Sequence, residues 1–191
     1  NNPKIFMGYS DTTITHLACN KAGIVSFYGP SIMAGFAENG GLFPYMVNSL
    51  KNTLFYSEPI GILEQNHSGW TDEFLNWNDV NLQENKRKLK DPTDWKFLQG
   101  TGFHRGRLMG GCFEVLDWLR GTEVWPDINV WEGAILFLEA SEECPTAMEI
   151  ERGLRSVAAV GVLSKIKAIL FGRPGGQIPE SKYQPYEDAL T

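Results

Sequence analysis

Cysteine is scarce in this chain. Cys19, Cys112 and Cys144 are an odd number, far apart, with no Cys-x-x-Cys pair among them. With no histidine at metal-ligand spacing either, the pattern writes neither a disulfide framework nor a zinc site, and it favours a reducing, cytoplasmic setting. Positive charge is also short: 17 Lys and Arg stand against 23 Asp and Glu, for a formal net charge of -6 and a pI near 5.1. That balance argues against a nucleic-acid partner, whose affinity comes mostly from cations neutralising phosphates. No uninterrupted apolar run approaches the roughly 20 residues that a bilayer-spanning helix needs, so no membrane partner is expected. The sequence opens on Asn1-Asn2-Pro3, which is neither an initiator methionine nor a signal peptide, and it reads as an excerpt of a longer chain or as a chain whose start was removed by processing.

The 191 residues are 42% hydrophobic and 12% aromatic, enough to bury one core or two small ones. Residues 4–7 read as a buried strand. From Asp11 the pattern becomes helical, with Ile14, Leu17 and Ala18 on one face and Gly23 as a stop. Residues 24–28 read as a second strand, which gives residues 4–30 the outline of a parallel βαβ unit. Such a pair cannot cover both its faces, so further strands are expected on its N-terminal side. A helix is expected over 42–56, followed by a polar, tryptophan-bearing linker or substrate loop over 66–96. A second α/β pattern starts near Phe97. It reads as a strand over 105–109, the break Gly110-Gly111, a helix over 113–120 stopped by Gly121, a strand over 133–139, a helix over 145–163 and a strand over 166–171. The expected organisation is therefore 1–65, 66–96 and 97–191, in the α/β class.

Chemistry has two candidate centres. Ser10 follows Gly8 at the end of a strand and opens a helix, an arrangement similar to the Gly-x-Ser-x-Gly turn that exposes a nucleophile, although Thr12 stands where the second glycine would be. The helix's first amides, that of Asp11 in particular, would then face a developing oxyanion. The same place suits an N-cap, in which Ser10 or Asp11 satisfies a first-turn amide, and the motif leaves both readings open. Glu139 ends an apolar strand where α/β enzymes place catalytic groups, yet a strand end is also where a glutamate is free to be solvated. The base for a serine nucleophile is harder to find. His16 lies two turns along the Ser10 helix with its side chain directed away from the turn, His67 falls in the polar loop, and His104 precedes Arg105 in a glycine-rich approach. None of them reads as the base. Trp70, Trp77 and Trp95 could stack a flat ligand or cover a domain junction.

Taken together, several words of the sequence resemble the LD-carboxypeptidase family of serine peptidases. They are Asn2 to Asp11 with Thr13 and His16, Tyr28-Gly29-Pro30, Gly106 to Cys112, Gly121-Thr122, Gly133 to Glu139, and Ala168 to Arg173. The resemblance implies a hydrolase with a Ser-Glu-His triad and no cofactor or metal, in which Ser10 is the nucleophile, Glu139 orients the histidine and the Asp11 amide donates to the oxyanion. It also implies that the family's other oxyanion donor lies before Asn1 and its histidine beyond Thr191. The fold implied is part of a flavodoxin-like parallel-sheet domain joined to a second α/β domain. The long segment 66–96 resembles the branch typified by the microcin C self-immunity peptidase, which cleaves the amide between a C-terminal aspartate and an adenylate-like group. The shorter branch trims a murein tetrapeptide. On this reading the partner is a small peptide or peptidyl-nucleotide, Trp77 and Trp70 are candidate platforms for the base, and Arg173 is a candidate contact for a carboxylate. A homodimer, and a catalytically silent binding piece lacking the histidine, both stay open.

Overall fold

In the computed structural model, which describes residues 2, 4–58, 60–62, 65–175 and 178–191, the chain alternates short strands with helices. In order these are β1 Met7–Gly8, α1 Thr13–Lys21, β2 Phe27–Tyr28, α2 Pro44–Leu54, β3 Leu108–Cys112, α3 Phe113–Leu119, β4 Ile135–Glu139, α4 Ala147–Ala159, β5 Ala168–Phe171 and α5 Gln184–Ala189. The class is mixed α/β with parallel sheets, as expected. β1 pairs with β2 in parallel, Met7 opposite Phe27, across the α1 crossover. β3, β4 and β5 form a second parallel sheet in that order, with Cys112 opposite Glu139 and Leu138 opposite Phe171. The chain divides into two compact units, Asn1–Gly29 with Phe97–Thr191, and Pro30–Lys96.

The first unit is organised by burial. Trp131, Leu136, Ile150 and Val162 are almost wholly excluded from solvent, and Leu17 of α1 joins their cluster. A capping box starts α4: the Thr146 hydroxyl accepts from the Glu149 amide at 3.3 Å, while the Thr146 amide donates to the Glu149 carboxylate at 2.6 Å. Gly153 then admits the Phe113 ring, because a Cβ there would lie 2.2 Å from Cζ of Phe113.

Three details depart from the sequence expectation. Residues 4–7 are not a buried strand, since the strand is only Met7–Gly8 and Ile5 is 59% exposed. It pairs with a two-residue β2, so the ladder is short, and of the residues before it Phe6 is held by its carbonyl on the Phe27 amide at 3.0 Å and by its ring 5.0 Å from that of His16. The inward face of α1 is Thr13, His16 and Leu17 rather than Ile14, Leu17 and Ala18. Residues 13, 16 and 17 share one face by the i, i+3, i+4 rule, and a 3-10 turn over Ser10–Thr12 sets which face turns inward. Finally, β3 runs through Gly110-Gly111 instead of stopping there. A Cβ on Gly110 would stand 1.8 Å from the Phe137 carbonyl, and one on Gly111 would stand 2.5 Å from Oγ1 of Thr13. The two glycines are close-approach points that bring β4 and α1 against the strand.

The second unit is held differently. Its helix α2 opens with proline at its first position, where no amide bond is lost. Arg87 grips both carboxylate oxygens of Glu38, at 2.7 and 2.6 Å, and lies 5.7 Å over the Phe43 ring. Trp70 and Lys90 are joined by a two-way backbone bridge, and Lys90 pairs with Asp72 at 2.6 Å. Among the described residues of this unit only Gly69 is buried. No helix of the described residues is long and apolar enough to cross a membrane.

Candidate active site

Ser10 sits in the 3-10 turn between β1 and α1, and its backbone is in the left-handed region, with φ of 59°. A non-glycine residue seldom adopts this conformation, which costs roughly 1–3 kcal/mol and persists only where the surroundings enforce it. Three features enforce it here. Gly8 leaves room for the Thr12 side chain, which a Cβ at position 8 would meet at 2.9 Å. Oγ1 of Thr12 donates to the Tyr9 carbonyl at 2.9 Å. The Gly8 carbonyl accepts twice, from the Gly29 amide at 3.1 Å and from Nε2 of His16 at 3.0 Å.

That last bond corrects the expectation for His16. Its side chain is buried and turns back onto the strand before Ser10. Since Nε2 donates to a carbonyl, Nδ1 accepts from the Ser26 hydroxyl at 2.8 Å in the neutral tautomer. Burial lowers the pKa of His16, against the opposing pull of the bond to Gly8, which keeps that tautomer. Both ring nitrogens are thus spent on structure.

The capping alternative for Ser10 also falls away. The residue at the N-cap of α1 is Thr12, and neither the Ser10 nor the Asp11 side chain bonds a first-turn amide. Among the described residues, none accepts from the Asp11 amide, which follows Ser10 at the start of the helical run.

Glu139, half-buried at the carboxyl end of β4, meets this turn across 129 residues of sequence. Its Oε1 accepts from the Ser10 amide at 3.1 Å and from the Tyr28 hydroxyl at 2.5 Å. The Tyr28 oxygen in turn accepts from the Ser10 amide at 2.9 Å and from the Thr13 hydroxyl at 3.4 Å, and the Thr13 oxygen accepts from the Cys112 amide at 3.0 Å. Burial, and next the bond to Glu139, raise the phenol pKa of Tyr28 well above its ordinary value, so the hydroxyl stays a donor.

Ser10, Asp11 and Glu139 are therefore brought together. Tyr28 and Thr13, which link them, were named only as letters of longer words in the sequence. A tyrosine closing a short strand carries no signal of its own until Glu139 is seen beside it. Arg173 is exposed just past β5, next to Gly172, whose amide bonds the Leu138 carbonyl at 2.8 Å, so it lies along the sheet edge that carries Glu139. Trp70 and Trp77 belong to the other unit. The Trp70 ring is covered by the Lys90 ammonium at 4.6 Å, whereas Trp77 is 48% exposed beside Phe74, with ring centres 6.1 Å apart. His67 and His104 are exposed. Among the described residues, no group of three or more His, Cys, Asp or Glu is gathered as a metal would require.

Residues 1–29 match the LD-carboxypeptidase N-terminal domain and residues 105–191 the LD-carboxypeptidase C-terminal domain. The microcin C7 self-immunity protein MccF of Escherichia coli is 32% identical over 197 residues, covering 97% of this chain and 53% of that protein. The chain spans about half the length of the curated relatives it matches. Among solved structures, an MccF-like protein from Streptococcus pneumoniae in complex with AMP superposes with a TM-score of 0.84 at 27% identity, covering 99% of this chain and 57% of that one. MccF in complex with aspartyl sulfamoyl adenosine gives a TM-score of 0.74 at 28% identity, covering 99% and 56%.

Proposed function

Because the chain belongs to the LD-carboxypeptidase family of serine peptidases, we propose that it carries the nucleophile and the acidic member of a Ser-Glu-His triad in a carboxypeptidase-type hydrolase. The observation that carries this reading is Ser10 itself, held at φ 59° at a strand-to-helix turn with Glu139 bonded to its amide. Ser10 Oγ attacks the scissile carbonyl carbon, the carbonyl oxygen takes up negative charge facing the Asp11 amide, and the histidine accepts the serine proton. The histidine then passes that proton to the leaving amine as the C–N bond breaks, and water releases the acyl group by the reverse steps. His16 is excluded as this base, its two nitrogens being engaged. The relatives are about twice as long as this chain, and the base is assigned to their additional length.

The substrate reading is a C-terminal amide such as that of a peptidyl-aspartyl-adenylate. It is supported by the AMP and aspartyl sulfamoyl adenosine that similar proteins hold in their structures. Trp77 is the better candidate to stack the base, because the Trp70 face is taken by Lys90. Arg173 is the candidate contact for a carboxylate. We assign residues 1–65 to an N-terminal flavodoxin-like domain, 66–96 to a substrate loop and 97–191 to a C-terminal domain.

A fluorophosphonate probe tests the nucleophile: the complete protein is expected to label and its Ser10→Ala variant is not. Equal labelling of both removes the assignment. Turnover of a peptidyl-aspartyl-adenylamide beside an LD-tetrapeptide then decides the substrate, and preference for the tetrapeptide replaces the nucleotide reading. Trp77→Ala is expected to raise KM for the nucleotide substrate alone; unchanged kinetics remove the stacking role.

A further inference from the structure

We propose that Tyr28 is a positioning residue that divides the two oxygens of Glu139 between two tasks, a role that rests on the triad reading above. Oε1 is fully engaged, accepting the Tyr28 hydroxyl and the Ser10 amide together. Among the described residues, none donates to Oε2. One oxygen thus fixes the carboxylate to the nucleophile turn, and the other is presented to the base.

The direction of the network makes this a one-way device. The Cys112 amide can only donate, so Thr13 Oγ1 accepts from it and sends its own proton to Tyr28. The Ser10 amide also points at the Tyr28 oxygen. With two donors aimed at that oxygen, its single proton has one outlet, Oε1 of Glu139. The aromatic ring is fixed independently of the hydroxyl, with its centre 5.2 Å from His16 and edge-on at 5.1 Å to Phe137. Thr13 is wholly buried, so water does not compete for its place in the relay. A carboxylate that must hold an imidazole at one angle gains most from having its own rotation stopped.

Tyr28→Phe in the complete protein removes the proton donor and keeps the ring. The expected result is a fall in kcat of roughly tenfold to a hundredfold, the worth of one charge-assisted hydrogen bond, with KM within about twofold. A downfield hydroxyl proton resonance, present in the native protein, disappears in the variant. Incorporating 3-fluorotyrosine at position 28 keeps the donor and is expected to hold kcat near its native value, so a loss of kcat there counts against the role even where Tyr28→Phe does not fold. Native kcat in Tyr28→Phe, a change in KM alone, or loss of kcat with the fluorinated residue would each overturn the positioning role. Failure of the native protein itself to react with the fluorophosphonate overturns the triad reading instead, and the positioning role falls with it.

Discussion

The two units are built from one chain by opposite means. Every buried hydrophobic residue of the described chain belongs to the first unit, from Leu17 through Trp131 to Tyr186. The second unit keeps Phe55, Tyr56, Phe74, Trp77 and Trp95 largely exposed and is tied by Arg87 with Glu38, Lys90 with Asp72, and the Trp70–Lys90 bridge. The contrast separates two tasks. Holding Ser10 in a strained conformation against Glu139 needs a stiff, close-packed support. A surface-built segment with few buried apolar contacts opens at low free-energy cost.

The contrast can be attacked at its strongest point first. Gly110→Val drives a side chain into the Phe137 carbonyl and is expected to cost more than about 4 kcal/mol, leaving little folded protein by circular dichroism. Trp131→Ala, deep in the same core, is expected to cost about 3–5 kcal/mol in urea unfolding. The matching truncation in the second unit, Phe55→Ala, should cost under about 0.5 kcal/mol because that ring is 79% exposed. Comparable losses for the two would erase the distinction drawn between the units. Glu38→Gln leaves Arg87 without its two-point partner and is expected to cost about 1–3 kcal/mol within the second unit. Limited proteolysis should show faster cutting between residues 30 and 96, with cleavage in 105–191 unchanged.

The smallest effect expected is one of pH. Burial depresses the pKa of His16 below its ordinary 6.5, so in that range the unfolded chain binds the extra proton and the folded chain does not. The stability from neutral His16 is complete above pH 6.5 and is lost as pH falls through the lowered pKa. His16→Gln should flatten that part of the stability curve, measured by denaturant unfolding between pH 5 and 8.

Much of the first unit was legible from local rules. The turn and helix around Ser10, the Leu136-Phe137-Leu138-Glu139 strand and the α4 helix follow from periodicity and stop signals, which are properties of neighbours in sequence. What escaped depends on neighbours in space. Gly110-Gly111 looked like a break because glycine usually is one, and only the approach of Phe137 and Thr13 shows why a strand needs it there. Helix α5, Gln184–Ala189, was not expected, for six residues give too short a window for a helical period. Of the site, Ser10, Asp11 and Glu139 were named in advance, whereas Tyr28 was silent because its partners lie 18 and 111 residues away.

Cys112 sits where these elements meet, at the end of β3, with its amide on Thr13 and its side chain 1% exposed. Burial pushes its thiol up to about 12, so near neutral pH almost none of it is thiolate. An alkylating reagent can therefore reach Cys19 and Cys144, which are partly exposed, long before it reaches Cys112. The lag between those reactions is a clock for the opening of the β3–α3 junction. Mass spectrometry can read it from the mass that the alkyl group adds, timing how often the support beneath the serine turn comes apart.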